Sequence, residues 1–209
     1  MEIEERSRET YNKIIQAGKE ILNKKDYHEA VVEEIAQLAG VAKGTVFFYF
    51  KTKENLFKEI MLSLLDELNT SIEGILANVL PPLKKLKKIY DYYIEFNLRN
   101  MQILMSIRKQ LLHVEPKVEE IKEKLSQLSR KILPLVEEMF KAGLIKKIAV
   151  SVDLTEVVSS MLLMYASAVS SMVFFYPDRV NELKEIFWEI LLHGILNEDV
   201  SIEMLVFEK

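Results

Sequence analysis

Residues 30–57 read AVVEEIAQLAGVAKGTVFFYFKTKENLF, and this stretch decides the fold. Apolar residues recur at helical spacing on both sides of Gly40-Val41-Ala42, which predicts one short helix over 31–39 and a second over 43–50. Two helices that cross steeply need a small residue where their backbones approach, a turn residue that accepts positive φ, and apolar side chains that pin the pair to a third helix. Ala36, Gly40 and the set Ile35, Val41 and Val46 supply these in turn. A generic helix pair would show the apolar spacing alone. Lys43-Gly44-Thr45 opening the second helix, with the aromatic run Phe47-Phe48-Tyr49-Phe50 closing it, is a more specific combination. Thr52 then offers a hydroxyl N-cap to a longer helix, with Asn55 where Glu often stands three residues on.

Only 6 Gly and 5 Pro punctuate the 209 residues, 49% of which are hydrophobic. Between these breaks the apolar period is helical and strand alternation hardly occurs, so an all-α protein of about nine helices is expected. The predicted helices cover 5–25, 31–39, 43–50, 52–78, 83–97, 99–113, 116–141, 153–176 and 179–196, with a tail whose residues 204–207 are apolar. Ile14, Ala17, Ile21 and Leu22 form one stripe of the first, and Asp26 is expected in the left-handed conformation that closes it. Pro81-Pro82 breaks the chain, and Pro134 is expected to kink its helix. The change from short helices to long ones divides the chain into a domain over 1–60 and a larger helical domain over 61–209.

Zero Cys removes disulfide scaffolds, redox motifs and thiol nucleophiles, and fits a reducing compartment. No apolar run follows the charged N-terminus, so a cytoplasmic location is expected. His28, His113 and His193 lie far apart, and the sequence has no phosphate-binding glycine loop, nucleophile elbow or zinc-binding histidine pair. Neither an enzyme nor a metal or cofactor site is therefore expected. Residues 157–177 hold 21 positions without a charge, long enough to cross a bilayer. Five Ser within the run, the closing Pro177 and the lack of a second such segment favour a helix that faces its own domain on one side and a partner subunit on the other.

The stretch resembles the helix-turn-helix of the TetR family of transcriptional regulators, through Ile35-Ala36, Ala39-Gly40-Val41, Lys43-Gly44-Thr45, Phe50-Lys51, Lys53-Glu54 and Leu56. The run over 51–57 looks most like the family's multidrug-binding branch, and the resemblance is strong over the first 60 residues. It implies that Lys43, Gly44 and Thr45 face base edges and nearby phosphates, that Phe48 and Tyr49 lie against the sugar-phosphate backbone, and that Lys53 meets a phosphate at a helix N-terminus. Lysine can donate to guanine, Gly44 permits close backbone approach, and Thr45 carries both a hydroxyl and a methyl. Val31 and Val32 depart from the family's usual Thr, which leaves that helix without a hydroxyl cap. Phe47 and Phe50 read as core. Lys51 and Lys58 read equally as solvated face or phosphate contact.

For the rest of the chain the resemblance implies a homodimer on a palindromic DNA operator, repressing by default and released by a small molecule. Tyr93, Phe96, Met101, Met105, Arg108, Met139, Phe140, Met161 and Tyr165 are the candidate effector pocket, an adaptable apolar lining that suits a bulky hydrophobic effector. Arg99 or Arg108 could meet an anionic head group such as that of an acyl thioester. Ser160, Met164, Ser167, Ser171, Phe187 and Leu191 are the candidate dimer interface, and the helix over 52–78 is the natural link from pocket to DNA. Taken singly, an aromatic or Met at helical spacing reads more readily as core. A helical interaction protein without DNA affinity, or a helical enzyme, stands as the alternative.

Charge bears on this expectation. The chain carries 28 Lys plus Arg against 32 Asp plus Glu, a net −4, which as an average opposes a nucleic-acid partner. Residues 43–58, however, hold Lys43, Lys51, Lys53 and Lys58 against Glu54 alone, a local excess of three positive charges.

Overall fold

The computed structural model describes residues 2–111, 118–144, 168, 172 and 175–197. Every regular element among them is helical: α1 (Glu2–Leu22), α2 (Val32–Leu38), α3 (Lys43–Phe50), α4 (Lys53–Leu76), α5 (Pro82–Arg99), α6 (Met101–Leu111), α7 (Val118–Lys141), a 3-10 turn (Pro177–Arg179) and α8 (Val180–Ile195). No helix among the described residues is long and apolar enough to cross a membrane. The uncharged run over 157–177 lies almost wholly outside the described residues, as does the apolar segment over 204–207.

The chain packs as two compact units. One comprises Met1–Glu67 with Asn100–Lys124, the other Leu68–Arg99 with Leu125–Lys209, so α4 and α7 each give one end to each unit. In the first unit α1 buries Ile14, Ile15, Ala17 and Leu22, α4 buries Leu56, Ile60 and Leu64, and Leu22 lines one small space with Ala30, Ile35, Leu56 and Ile60. At Gly18 a Cβ would come within 2.4 Å of Ile60 Cδ1, so the end of that side chain would have to shift to admit one. This closeness is invisible in the sequence, because it depends on what a distant helix brings opposite Gly18.

The turn after α1 departs from expectation. Asp26 does not adopt positive φ; among the described residues Lys51 is the one non-glycine that does. The chain leaves α1 by successive helical-type bonds, Asn23 N–H to Lys19 O at 3.0 Å and Lys25 N–H to Ile21 O at 3.0 Å, and Asp26 O then accepts from Glu29 and Ala30 N–H. Its carboxylate has separate work: Ser106 Oγ of α6 donates to Asp26 Oδ1 at 2.8 Å. Thr52 caps α4 as expected, accepting Asn55 N–H at 3.1 Å.

In the second unit a core of Leu83, Tyr90, Ile94, Met139, Met172, Trp188, Leu192 and Leu196 joins α5, the end of α7 and α8. Pro134 lies inside α7 without ending it. Asn197 closes the unit by bonding Leu144 O through its N–H and Gly143 O through its side-chain amide, at 3.0 and 2.7 Å.

Candidate nucleic-acid interface

α2 and α3 are joined as the glycine rule requires. Gly40 has φ 68°, a Cβ there would meet nothing within 4 Å, and the neighbouring Val41 N–H bonds Ala36 O at 3.0 Å. The penalty for a side chain is therefore conformational, not steric. α2 begins at Val31, which offers no side-chain cap, so only the acidic Glu33 and Glu34 in its first turn complement its positive end.

α3 is fastened by Val46 and Phe50, one turn apart and both buried. The opposite side presents Lys43, Gly44, Phe47 and Phe48, the stripe i, i+1, i+4, i+5 of a helix, and all four are exposed. Phe48 is 69% exposed, a large apolar surface to leave in water on a lone domain. Thr45 and Tyr49 border the stripe, half-buried. A Cβ at Gly44 would meet nothing within 4 Å, so the surface here is open to an approaching backbone.

Phe47 is a correction: it is 37% exposed, not core, and the Lys43 ammonium lies 5.8 Å from its ring centroid. The helical period places it one turn after Lys43, and that offset was the signal that could have found it. Tyr49 is tied inward at its polar end, its hydroxyl donating to Ser7 O at 3.1 Å and lying 3.0 Å from Ser7 Oγ. α1 therefore sets the position of this ring.

The four lysines of the positive segment each lie against a group of their own chain. Lys43 is bonded to the Glu33 carboxylate, and that bond first, with the charge of Lys43, holds the Glu33 carboxyl below the usual carboxylate range. Lys51 sits 5.4 Å from the Phe48 ring centroid. Lys53 lies 4.5 Å over the Tyr27 ring, where burial lowers its pKa from the usual lysine value. Lys58 is half-buried and pairs with the exposed Glu120 of α7 at 2.6 Å.

Lys51 also carries backbone strain. Its φ of 64° and ψ of −48°, with Thr52 N–H bonded to Phe50 O at 2.7 Å, form a tight γ-turn that turns the chain from α3 into α4. A lysine held at positive φ costs free energy that the surrounding packing must supply.

Of the candidate pocket residues, the second unit brings Met139, Tyr93 and Phe140 together at the Trp188 core. Phe96 is buried in the same unit, with the Arg99 guanidinium 5.9 Å from its ring centroid. Met101 and Met105 belong to the first unit, with Met105 exposed. Arg108 is in α6, but its side chain lies outside the described residues, as do Met161 and Tyr165 entirely. Ser160, Met164, Ser167 and Ser171 also lie outside them. Phe187 and Leu191 pack partly against the core, and the outward apolar pair of α8 is Ile186 and Ile190, the latter 62% exposed.

Residues 14–60 match the family model described as bacterial regulatory proteins, tetR family. The chain is 40% identical over 70 residues to the Fatty acid metabolism regulator protein of Bacillus subtilis, an alignment covering 32% of this chain and 36% of that protein, so it spans about a third of that relative's length. It is 27% identical over 137 residues to the HTH-type transcriptional regulator YhgD of the same species, covering 64% and 70%. Among solved structures, the fatty acid degradation regulator FadR of Bacillus halodurans superposes with a TM-score of 0.69 at 20% identity, over 88% of this chain and 98% of that one.

Proposed function

We propose that this chain, whose residues 14–60 match the tetR family model, is a TetR-type homodimeric transcriptional repressor that leaves a palindromic operator when a hydrophobic small molecule binds. The observation that carries the DNA-binding half is the open stripe of Lys43, Gly44, Phe47 and Phe48 on a short helix whose other side is buried by Val46 and Phe50. A helix exposed in this way fits the major groove, where the ammonium can donate to guanine and an aromatic edge can lie against a thymine methyl or the sugar-phosphate backbone. Thr45, Tyr49 and Lys53 are assigned the flanking contacts, with Tyr49 as a rigid apolar shoulder, since its hydroxyl is already bonded to Ser7.

We assign residues 1–60 to DNA binding and 61–209 to effector binding and dimerisation. The effector half rests on Tyr93, Met139 and Phe140 at the Trp188 core and on the names of two relatives, a fatty acid metabolism regulator and a fatty acid degradation regulator. A long acyl chain suits a lining of aromatics and Met, whose unbranched side chain adapts to flexible guests. The exposed Ile186 and Ile190 on α8 support a helix-to-helix dimer contact. Such a dimer carries two recognition helices related by a twofold axis, so its binding site is a palindrome. The cytoplasm is where such a regulator would act.

Selection of bound duplexes from a random pool tests the proposal. A recovered palindrome, bound with salt-dependent affinity and released by long-chain acyl compounds, is the expected result. Equal affinity for every duplex would reject sequence-specific regulation.

A further inference from the structure

Glu33 of α2 faces the first residue of α3, on the side that remains open. Its carboxylate accepts from the Lys43 ammonium, which also leans towards the Phe47 ring, and both members of the pair are half-exposed. An acid on this surface is out of place if phosphate is the only target, since it repels phosphate and occupies the lysine that would bind it. Of the other cations nearby, Lys51 lies against Phe48, Lys53 over Tyr27 and Lys58 against Glu120, so Lys43 is the one of these four held by α2.

The edge of a base pair presents a different chemistry. Cytosine offers its N4 amino group as a donor, which a glutamate can accept, and the guanine paired with it offers O6 and N7, which a lysine can bond. A lysine and a glutamate already within hydrogen-bonding distance carry a donor and an acceptor that match that edge, whereas a phosphate satisfies only one of them. Resting on the DNA-binding reading above, we propose that Glu33 is a specificity-determining residue: it holds Lys43 back from phosphate on non-operator DNA and yields it where a G·C pair satisfies both side chains.

Competition by an exposed carboxylate is modest, because such pairs gain little in water. Glu33→Gln is expected to raise affinity for a scrambled duplex by up to about fivefold and to leave affinity for the selected duplex unchanged or lower, so the ratio between the two falls. Duplexes selected by the variant should no longer hold one G·C pair fixed in each half-site. Glu34→Gln makes the same change of net charge one residue away, at a carboxylate that pairs with Lys25 instead, and should leave the ratio alone. In a Lys43→Met background the gain in scrambled-duplex affinity from Glu33→Gln should vanish, since the restrained ammonium is gone.

Equal gains in scrambled-duplex affinity from Glu33→Gln and Glu34→Gln, or an undiminished scrambled-duplex gain from Glu33→Gln in the Lys43→Met background, would reduce Glu33 to a contributor to the general field and overturn the proposal. Failure of the unaltered protein to select any duplex would overturn the DNA-binding reading as well, so the two failures are distinct.

Discussion

Ser106 on α6 donates its hydroxyl to Asp26 Oδ1, in the turn between α1 and α2, at 2.8 Å, and Ser106 is buried. This bond ties a helix 80 residues further along the chain to the entry of the helix-turn-helix. A hydrogen bond to a charged group in a buried setting is worth about 1.5–3 kcal/mol, so Ser106→Ala should lower the melting temperature by several degrees, and Ser106→Thr should recover part of the loss. Thermal unfolding followed by circular dichroism measures both. If Ser106→Ala melts with the parent protein, the bond is not a fastening of this unit.

Gly44 separates function from stability. Its surroundings hold no atom within 4 Å of an added Cβ and its φ is ordinary, so Gly44→Ala strains nothing in the protein. Alanine is the better helix former by up to about 1 kcal/mol, so the variant should be as stable as the parent or slightly more so. On DNA the added methyl occupies the open face between Lys43 and Phe48, and affinity for the selected duplex should drop by at least about tenfold. Parallel melting and binding measurements decide this. A loss of both properties would mean that Gly44 is structural.

The contrast between these residues shows what the sequence could carry. Gly40, Thr52 and the α3 boundaries follow from local rules, because a turn, a cap and a short helix depend on residues within one or two turns. Gly18 lies opposite Ile60, Lys58 pairs with Glu120, and Asp26 accepts from Ser106. No local pattern announces such partners. The exposure of Phe47 lies between the two cases: an aromatic run within eight residues of helix must put some rings outward, but which ones depends on the face that α1 and α4 cover.

Trp188 is the chain's single tryptophan, is fully buried, and its Nε1 is the one buried side-chain polar atom among the described residues without a hydrogen-bond partner. Excitation at long wavelength therefore reports on the Tyr90–Met139–Trp188 core alone. Emission should be blue-shifted and poorly quenched by acrylamide. If the acyl effector enters beside Tyr93, Met139 and Phe140, a saturable change of this emission should accompany it. Effector-dependent release of DNA with unaltered tryptophan emission would place the effector elsewhere.

Alkaline pH should loosen the first unit. Burial, then the Glu54 charge and the bond from Tyr27 Oη to Glu54 Oε1 at 3.1 Å, push the Tyr27 phenol up to about 12. Burial and the bond to Glu59 push Tyr11 higher still. A phenol whose pKa is raised by folding is held neutral in the native state, so its contribution is intact below about pH 10, the unfolded value, and is lost as pH climbs towards the folded one. Lys53, lowered by burial, acts in the opposite direction and offsets part of this. The melting temperature should fall between pH 10 and 12, and Tyr27→Phe should make the fall shallower. An unchanged slope would show that Tyr27 titrates no differently when folded.

Lys51 permits a test in which the usual order of two small residues is reversed. At negative φ within or beside a helix, Ala is more favourable than Gly by roughly 0.5–1 kcal/mol, because Gly loses more freedom on folding. Lys51 sits at φ 64° and ψ −48°, where a Cβ crowds the backbone at a cost of about 1–2 kcal/mol. Lys51→Ala and Lys51→Gly both remove the ammonium from the Phe48 ring, so that loss cancels between them, and only Lys51→Gly removes the Cβ. The Gly variant should therefore be the more stable of the two, by up to about 1 kcal/mol, in a denaturant titration with equal slopes. If Ala proves the more stable, the turn from α3 into α4 carries no strain in solution, and the γ-turn geometry is not what holds α3 at its angle to α4.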